Sequence, residues 1–227
     1  MRKTPPSSSF RRFLYENGLL LVGGFLVLLT MVGQSITGWY EYNNELKDMG
    51  LGSLSFAQYL TSGHFIEATF ENWESEFLQM ALYVLLTIGL RQKGSSESKK
   101  LYEEEEVDRK PNPSRKGAPG PVRWGGLWLL LYKNSLSIAF TLLFFASVWL
   151  HARGGAEVYN IEQMDKQEPL VTMWGYMATS RFWFESFQNW QSEFLSIVSI
   201  VGLSIFLRQQ GSPESKPVDA PHDETGE

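Results

Sequence analysis

The chain has 227 residues, of which 43% are hydrophobic, 14% aromatic and 20% charged, and its formal net charge is −5. The absence of cysteine excludes disulfide frameworks, cysteine-ligated zinc and thiol chemistry. The acidic balance argues against nucleic acid as the main partner. His64, His151 and His222 lie far apart in the sequence and do not resemble a histidine-rich metal motif. The sequence therefore predicts neither a metal nor a cofactor.

Four apolar runs follow one another along the chain, at 18–39, 77–90, 134–150 and 194–207. The first is uncharged throughout, and at about 1.5 Å per residue it extends roughly 33 Å, enough to cross a hydrocarbon core of about 30 Å. A cleavable signal peptide is the competing interpretation of this run, but the run is long for one and no A-x-A site follows it. The runs at 77–90 and 194–207 have a length that buried core helices share, so length alone does not assign them.

The distribution of lysine and arginine assigns these shorter runs. Basic residues gather before the first run, with Arg2, Lys3, Arg11 and Arg12, and again in the segment after residue 90. The segments that follow residues 39 and 152 contain few basic residues. Because lysine and arginine mark the cytoplasmic side of a membrane, an even number of crossings separates the two basic segments. The sequence predicts an all-α protein with four transmembrane helices, at about 18–39, 72–91, 134–152 and 189–208, and both termini in the cytoplasm.

The second half of the sequence repeats the first. When Tyr15 is placed on Tyr132, the two halves align without a gap. Asn-Trp-x-Ser-Glu-Phe-Leu then occurs at 72–78 and 189–195, and Arg-Gln-x-Gly-Ser-x-Glu-Ser-Lys at 91–99 and 208–216. Two spans per unit make the repeats parallel, related by a pseudo-two-fold axis along the membrane normal. The predicted fold is a membrane-embedded four-helix bundle made of two tandem two-helix hairpins, residues 1–93 and 122–210.

The remaining segments are polar. The linker at 94–121 and the tail at 211–227 are rich in proline, glycine and serine, which is typical of flexible cytoplasmic segments, and the tail is predicted to be disordered. Each external segment, between the two spans of a repeat, is long enough to contain a short helix. Residues 124–131 are predicted to form either an added interfacial segment or an extension of the third span at its cytoplasmic end.

The motif at 72–78 and 189–195 supplies the candidate polar site, because residues four apart share one face of a helix. The helical rise places Glu76 about 22 Å from Arg91, close to the outer boundary of the membrane. Two interpretations stay open: a structural aromatic belt, or a proton or cation site in which two glutamates face each other. The polar candidates are Asn72, Glu76, Asn189 and Glu193. The belt residues are Trp73, Phe77, Trp190 and Phe194.

The second doubled motif follows the second and fourth spans on the cytoplasmic side. Its glycines are expected to be the C′ residues that end each helix in the left-handed conformation. Its arginines suit a helix C-terminus and anionic headgroups. The motif is interpreted as an interfacial anchor or a docking surface for a cytoplasmic partner, with Arg91, Gly94, Lys99, Arg208, Gly211 and Lys216.

With these motifs, the chain resembles a bacterial family of small multi-pass membrane proteins known only as a domain of unknown function. The resemblance lies in Tyr-x-Asn-Gly-Leu at 15–19, Tyr42-Asn43, the Asn-Trp-x-Ser-Glu-Phe motif in both halves, and Arg-Gln-x-Gly-Ser-Pro-Glu-Ser-Lys-Pro-Val at 208–218. It implies a bacterial origin and a plasma-membrane location, and it implies no activity.

The sequence contains no nucleophile elbow, phosphate-binding glycine loop or HExxH motif, so we expect no enzyme. We predict an integral membrane protein that acts through helix–helix assembly, as a homo-oligomer or as an accessory subunit of a membrane complex. Its partners would be the lipid bilayer and a second copy or another membrane protein. The alternative is a proton or cation channel or transporter that uses Glu76 and Glu193.

Overall fold

A computed structural model describes residues 8–226. This part of the chain forms eight α-helices and no strand, so the all-α prediction is confirmed. The helices are α1 (Ser9–Asp48), α2 (Phe56–Tyr59), α3 (Gly63–Gly89), α4 (Gly120–Trp124), α5 (Gly126–Lys133), α6 (Ser135–Asp165), α7 (Met173–Met177) and α8 (Ser180–Phe206), with a 3-10 turn at Glu106–Asp108. The basic residues Arg2 and Lys3 and the last residue, Glu227, lie outside the described part.

Two of these helices, α1 and α6, are long and apolar enough to cross a membrane. Little of the most apolar part of either helix is buried within the protein. Helices α3 and α8 have 27 residues each, and the apolar runs at 77–90 and 194–207 form their C-terminal halves. Helices α4 and α5, at the position predicted for an interfacial extension, are separated by a break at Gly125 and Gly126, both with positive φ.

Helices α3, α6 and α8 form the packed part of the molecule, and α1 makes only slight contacts with α2 and α3. The closest approach is between α3 and α6. A Cβ atom added to Gly154 would lie 2.6 Å from the carbonyl oxygen of Gly63 and 2.6 Å from the amide nitrogen of Glu67. Any side chain at position 154 would therefore collide with the backbone of α3, and glycine is what permits the contact.

Each repeat closes its hairpin with the same asparagine clamp. The Asn43 side chain donates to the carbonyl of Leu54 at 3.0 Å and accepts from its amide at 2.6 Å. Asn160, at the aligned position, makes the same pair of bonds with Val171, both at 2.8 Å. These bonds satisfy backbone groups that no helix or strand pairs, and they fix where each connecting segment turns back.

A tyrosine from each connecting segment packs against the preceding long helix. Tyr59, the last residue of α2, lies against Gly38, and Tyr176 of α7 lies against Gly155. Both tyrosines are fully buried, and each glycine leaves the space that the ring occupies. The short helices expected in the connecting segments are therefore α2 and α7, and they are held in the same way in both repeats.

The two repeats differ in how their long helices pair. Helix α6 of the second repeat packs extensively on α3 of the first, whereas the described residues show no comparable packing between α1 and α8, the aligned pair. The positions aligned with Gly154 and Gly63 are Thr37 and Ser180, whose side chains rule out the same close approach. The local similarity of the repeats thus does not extend to a symmetric bundle.

The segments after α3 and α8 have matching turns. The helices end at Gly89 and Phe206, and the next residue in each case is extended. The expectation that Gly94 and Gly211 are C′ residues is therefore wrong, because the helices end before the motifs begin. These glycines instead adopt positive φ values of 87° and 85° in the turns that follow.

The serines of the doubled motif hold these turns closed. Ser98 Oγ accepts a hydrogen bond from the amide of Gln92 at 2.9 Å, and Ser215 Oγ accepts the matching bond from Gln209 at 2.9 Å. The repeated Ser-x-Glu-Ser-Lys sequence is therefore a local folding motif in both places.

The C-terminal tail folds over the first of these turns. The buried Lys216 Nζ donates to the carbonyls of Pro221, His222 and Glu224 at 3.1, 3.0 and 2.8 Å. The Gly226 amide donates to the carbonyl of Ser95 at 3.0 Å. The composition of the linker and the tail is typical of flexible segments, but here the two are held against each other. The buried ammonium group of Lys216 requires several acceptors, and carbonyls of the tail supply them.

Candidate functional site

A fully buried histidine, His151 on α6, lies between carboxylates from both neighbouring helices. Its Nδ1 is 3.0 Å from Oε2 of Glu74 on α3, and its Nε2 is 3.4 Å from Oε2 of Glu185 on α8. Glu74 is also fully buried. Because buried charges require partners, these three side chains depend on one another. We call them, with Glu67, Tyr176 and Arg181, the His151 centre.

Tyr176 joins two of the carboxylates. Its hydroxyl is 3.2 Å from Oε1 of Glu67 and also contacts Oε2 of Glu185. A phenol has one proton, so it can donate to only one carboxylate at a time. Burial, with the nearby charge of Glu185, raises the pKa of Glu67 to about 7. When Glu67 is protonated, it can donate to the Tyr176 hydroxyl, and the hydroxyl can then donate to Glu185.

Arg181 is the cation that balances Glu185. Its Nε donates to Oε1 of Glu185 at 2.9 Å, and its Nη1 donates to Oε1 of Glu162 at 2.6 Å. Burial alone would raise the pKa of Glu185, but hydrogen bonds from His151, Tyr176 and Arg181 hold this pKa below its ordinary value. These three donors therefore favour the ionised form of Glu185.

An open cleft of ≈ 470 Å³ leads to the centre. Its polar lining comes from α1, α3, α6 and α8: Glu45, His64, Glu67, Glu71, Glu162, Arg181 and Glu185. Burial raises the pKa of Glu71 to about 7. Within residues 8–226, neither Glu67 nor Glu71 forms a salt bridge. The cleft thus has more carboxylates than cations, and it must take up protons or bind a cation to balance them.

The predicted polar site has a different location. Asn72 and Glu76 are exposed on α3, and the Asn72 side chain donates to the carbonyl of Ala68 at 3.0 Å on its own helix. Glu193 is half-buried, as is Asn189 one turn earlier on α8. Gln79 Nε2, three residues after Glu76, donates to the carbonyl of Glu193 at 2.8 Å. The structure therefore places both predicted glutamates along the contact between α3 and α8.

The predicted belt residues have unequal surroundings in the two repeats. Trp73 is exposed and packs edge-on against Phe70 and Phe77. Trp190, the aligned residue, instead donates from Nε1 to Oε1 of Glu74 at 3.2 Å. Phe194 is exposed on α8. One of the predicted belt tryptophans therefore contributes directly to the His151 centre.

The predicted cytoplasmic anchor residues contact the chain itself. Arg91 and Arg208 donate to carbonyls of the last turn of α3 and α8, which supports their expected position at helix C-termini. Lys99 Nζ lies 2.6 Å from Oδ1 of Asp108, while its counterpart Lys216 is bound by the tail. The two turns also contact each other, because Ser96 Oγ donates to the carbonyl of Glu214 at 3.1 Å.

Sequence reasoning did not find the His151 centre, although a signal for it exists. Glu67, Glu71 and Glu74 lie on one face of α3, at positions whose aligned residues in α8 are Phe184, Gln188 and Gln191. Glu76 and Glu193 are predicted as a site because a glutamate occupies this position in both repeats. The glutamates of the buried centre instead occur in one repeat only.

Comparison with known proteins gives a family and no activity. No curated protein and no solved structure matches the chain. Residues 10–227 match the model of a family described as a domain of unknown function (DUF6766), and the chain therefore belongs to that family.

Proposed function

We propose that the chain is a multi-pass protein of a bacterial plasma membrane, with four spans and both termini in the cytoplasm. We further propose that it is not an enzyme and that it acts by helix–helix assembly within the membrane. The length and apolar character of α1 and α6 support the location. The concentration of lysine and arginine before α1 and after α3 supports the orientation.

One observation carries the assembly proposal: α1 has an apolar surface that no other residue in the described range 8–226 covers. Residues 19–30 of α1 are all exposed. Cβ atoms added to Gly23 or Gly24 would have no neighbour within 4 Å. Lipid can cover such a surface, but small residues at one level of a transmembrane helix also allow a second helix to approach closely. Helix α1 is therefore the part of the molecule most suited to bind another helix.

The chain contains no cysteine, which permits a direct crosslinking test. Val27 lies on the same face of α1 as the glycine pair, and Leu29 lies on the opposite face two residues away. In oxidised native membranes, Val27→Cys is expected to give a disulfide-linked dimer if the partner is a second copy. If the partner is a different subunit, Val27→Cys treated with a crosslinker that joins a thiol to an amine is expected to give one adduct, with a mass different from that of the dimer.

Leu29→Cys is the matched control, since Leu29 lies two residues from Val27 on the same helix and is equally exposed. Little crosslinking is expected from it, because it faces lipid in the proposed assembly. Equal crosslinking from both positions, or none from either, would contradict assembly through the glycine face of α1.

A second candidate function is a proton or cation path past Glu76 and Glu193. It is favoured by the contact between Gln79 and the backbone of Glu193, which brings the two glutamate positions to one helix interface. Purified protein in liposomes is expected to pass protons or cations, and Glu76→Gln and Glu193→Gln are expected to reduce that flux severalfold. Glu168→Gln, an exposed position far from this interface, is the control. Absence of flux in the parent protein would exclude this function.

A further inference from the structure

We infer that Glu67, His151 and Glu185 bind a divalent first-row transition-metal ion. One ligand atom from each residue lies within 4.8 Å of the other two. The three residues come from α3, α6 and α8, so the ion would connect the three packed helices at one point. This inference is independent of the assembly and flux proposals, neither of which uses these residues.

The distances suit an ion of this size. Ligands at about 2.0–2.1 Å from a tetrahedral zinc ion lie about 3.4 Å from one another. His151 Nε2 and Glu185 Oε2 are 3.4 Å apart, which is long for a charge-assisted hydrogen bond and close to that ligand separation. A small inward movement of the Glu67 side chain would complete a three-residue site.

The histidine is already held in the orientation that a metal ligand requires. Its Nδ1 lies 3.0 Å from Glu74, which leaves Nε2 directed at Glu185. Metal-binding histidines usually donate their other ring N–H to a carboxylate in this way, which fixes the tautomer and raises the basicity of the ligand atom. Trp190 donates to the second oxygen of Glu74, so this orienting carboxylate is itself fixed.

The proposed ligand atom of Glu185 is Oε2, which accepts from Tyr176 and lies opposite His151 Nε2. An ion would therefore displace a proton from between Nε2 and Oε2, and the Tyr176 hydroxyl would turn away from Oε2. Arg181 donates to the other oxygen, Oε1. Glu67 has no salt-bridge partner within residues 8–226, so an ion would supply the positive charge that this buried carboxylate lacks. The acid-lined cleft gives an ion access from solvent.

A second observation concerns an unpartnered polar group on the face of α8 that points toward His151. Ser186 on α8 is fully buried, and its hydroxyl has no hydrogen-bond partner among the described residues. It lies one turn after Phe182, whose ring stacks on His151 at 4.8 Å between centroids, and therefore shares the face of α8 that His151 contacts. A water molecule in the fourth position of the metal would give this hydroxyl a partner.

The donor set indicates the class of metal. Two carboxylates and one imidazole favour Zn²⁺, Mn²⁺ or Fe²⁺ over the soft ions that require thiolates, and a single imidazole with few oxygens does not suit Ca²⁺. With three ligands from different helices and a carboxylate that orients the histidine, the ion would fix α3, α6 and α8 relative to one another.

Full-length protein in mild detergent, stripped with EDTA and dialysed, is the material for the test. Titration with Zn²⁺ is expected to show one site per chain and to raise Tm, because an ion that binds only the folded state stabilises it. Co²⁺ in place of Zn²⁺ is expected to give visible d–d absorption bands of a nitrogen- and oxygen-ligated site. Glu74→Gln is expected to weaken Zn²⁺ binding by about 10- to 100-fold through the orientation of His151.

His151→Gln and Glu185→Gln are expected to abolish the Zn²⁺ effect on Tm and the Co²⁺ spectrum. Glu71→Gln, on the same cleft and helix as Glu67, is the matched control and is expected to keep both. If the helix content shows that a ligand variant does not fold, Zn²⁺ binding to the parent protein is the deciding measurement. A parent that shows no stoichiometric Zn²⁺ binding overturns the inference, as does a folded His151→Gln variant that binds Zn²⁺ as tightly as the parent.

Discussion

At the scale of single residues, burial gives Glu71 a property that its sequence position does not reveal. Burial, with nearby carboxylates, raises its pKa to about 7 from an ordinary 4.5. A carboxyl group with a raised folded-state pKa contributes stability that is fully present below about pH 4.5 and is lost as the pH rises through about 7. The folded protein therefore carries an ionised and unpaired Glu71 only at alkaline pH, at a cost in stability.

We predict that Glu71→Gln stabilises the EDTA-treated protein at pH 8.5 by about 1 to 3 kcal/mol, since each pKa unit corresponds to about 1.4 kcal/mol. The same substitution should change little at about pH 3, well below the ordinary pKa, where Glu71 is protonated in both states. Thermal unfolding in detergent, followed by circular dichroism at both pH values, measures the difference. Glu168→Gln, at an exposed carboxylate, is the control, and an equal gain at both pH values would contradict the assigned cause.

At the scale of helices, the sequence predicts the elements better than their packing. Hydrophobic runs and the repeat indicate four long helices, and the length of the two external segments indicates a short helix in each. The structure contains helices at each of these places. A pseudo-two-fold axis would pair α1 with α8 as α6 pairs with α3. The structure lacks that symmetry, because Gly154 and Gly63 allow a backbone contact that Thr37 and Ser180 prevent.

The buried centre was even less predictable. His151 lies 77 residues from Glu74 and 34 from Glu185, and Tyr176 lies 109 from Glu67, so no local spacing connects them. Their proximity follows from the α3–α6 contact, which itself depends on two glycines. The sequence contains the separate parts of the centre, namely a face of glutamates and a histidine at the end of an apolar run, but not the helix pairing that brings them together.

We predict that Gly154→Ala destabilises the protein by about 1 to 3 kcal/mol or more, as overpacking of a close contact does. The added Cβ would meet backbone atoms of Gly63 and Glu67 at 2.6 Å, and backbone atoms cannot move aside as the end of a side chain can. Gly202→Ala on α8 is the matched control, since a Cβ there has nothing within 4 Å. It should be neutral or stabilising by up to about 1 kcal/mol because alanine favours helix.

The comparison of these two Tm values in the same detergent separates packing from helix propensity. A Gly154→Ala variant as stable as Gly202→Ala would mean that α3 and α6 do not approach each other as closely as described.

At the scale of the whole molecule, the two halves of the chain depend on each other more than the tandem repeat suggests. The most extensive helix contact joins α3 of the first half to α6 of the second, and α1 contacts its own half only slightly. The His151 centre takes Glu67 and Glu74 from the first half and His151, Tyr176 and Glu185 from the second. The buried Glu74 and Glu67 of the first half therefore have their hydrogen-bond partners, His151, Trp190 and Tyr176, in the second half.

The linker between the halves is therefore expected to be dispensable for assembly. We predict that fragments 1–110 and 111–227, co-expressed as separate chains with a tag on the first, purify together in mild detergent. The second fragment expressed alone should be degraded or aggregated, because His151 and Glu185 would lack Glu74 and Glu67 as neighbours. The Gly154→Ala substitution in the second fragment should reduce its recovery, and Gly202→Ala should not. Two fragments that purify separately, each with full helix content, would show that the halves are independent hairpins and that the α3–α6 contact does not hold the molecule together.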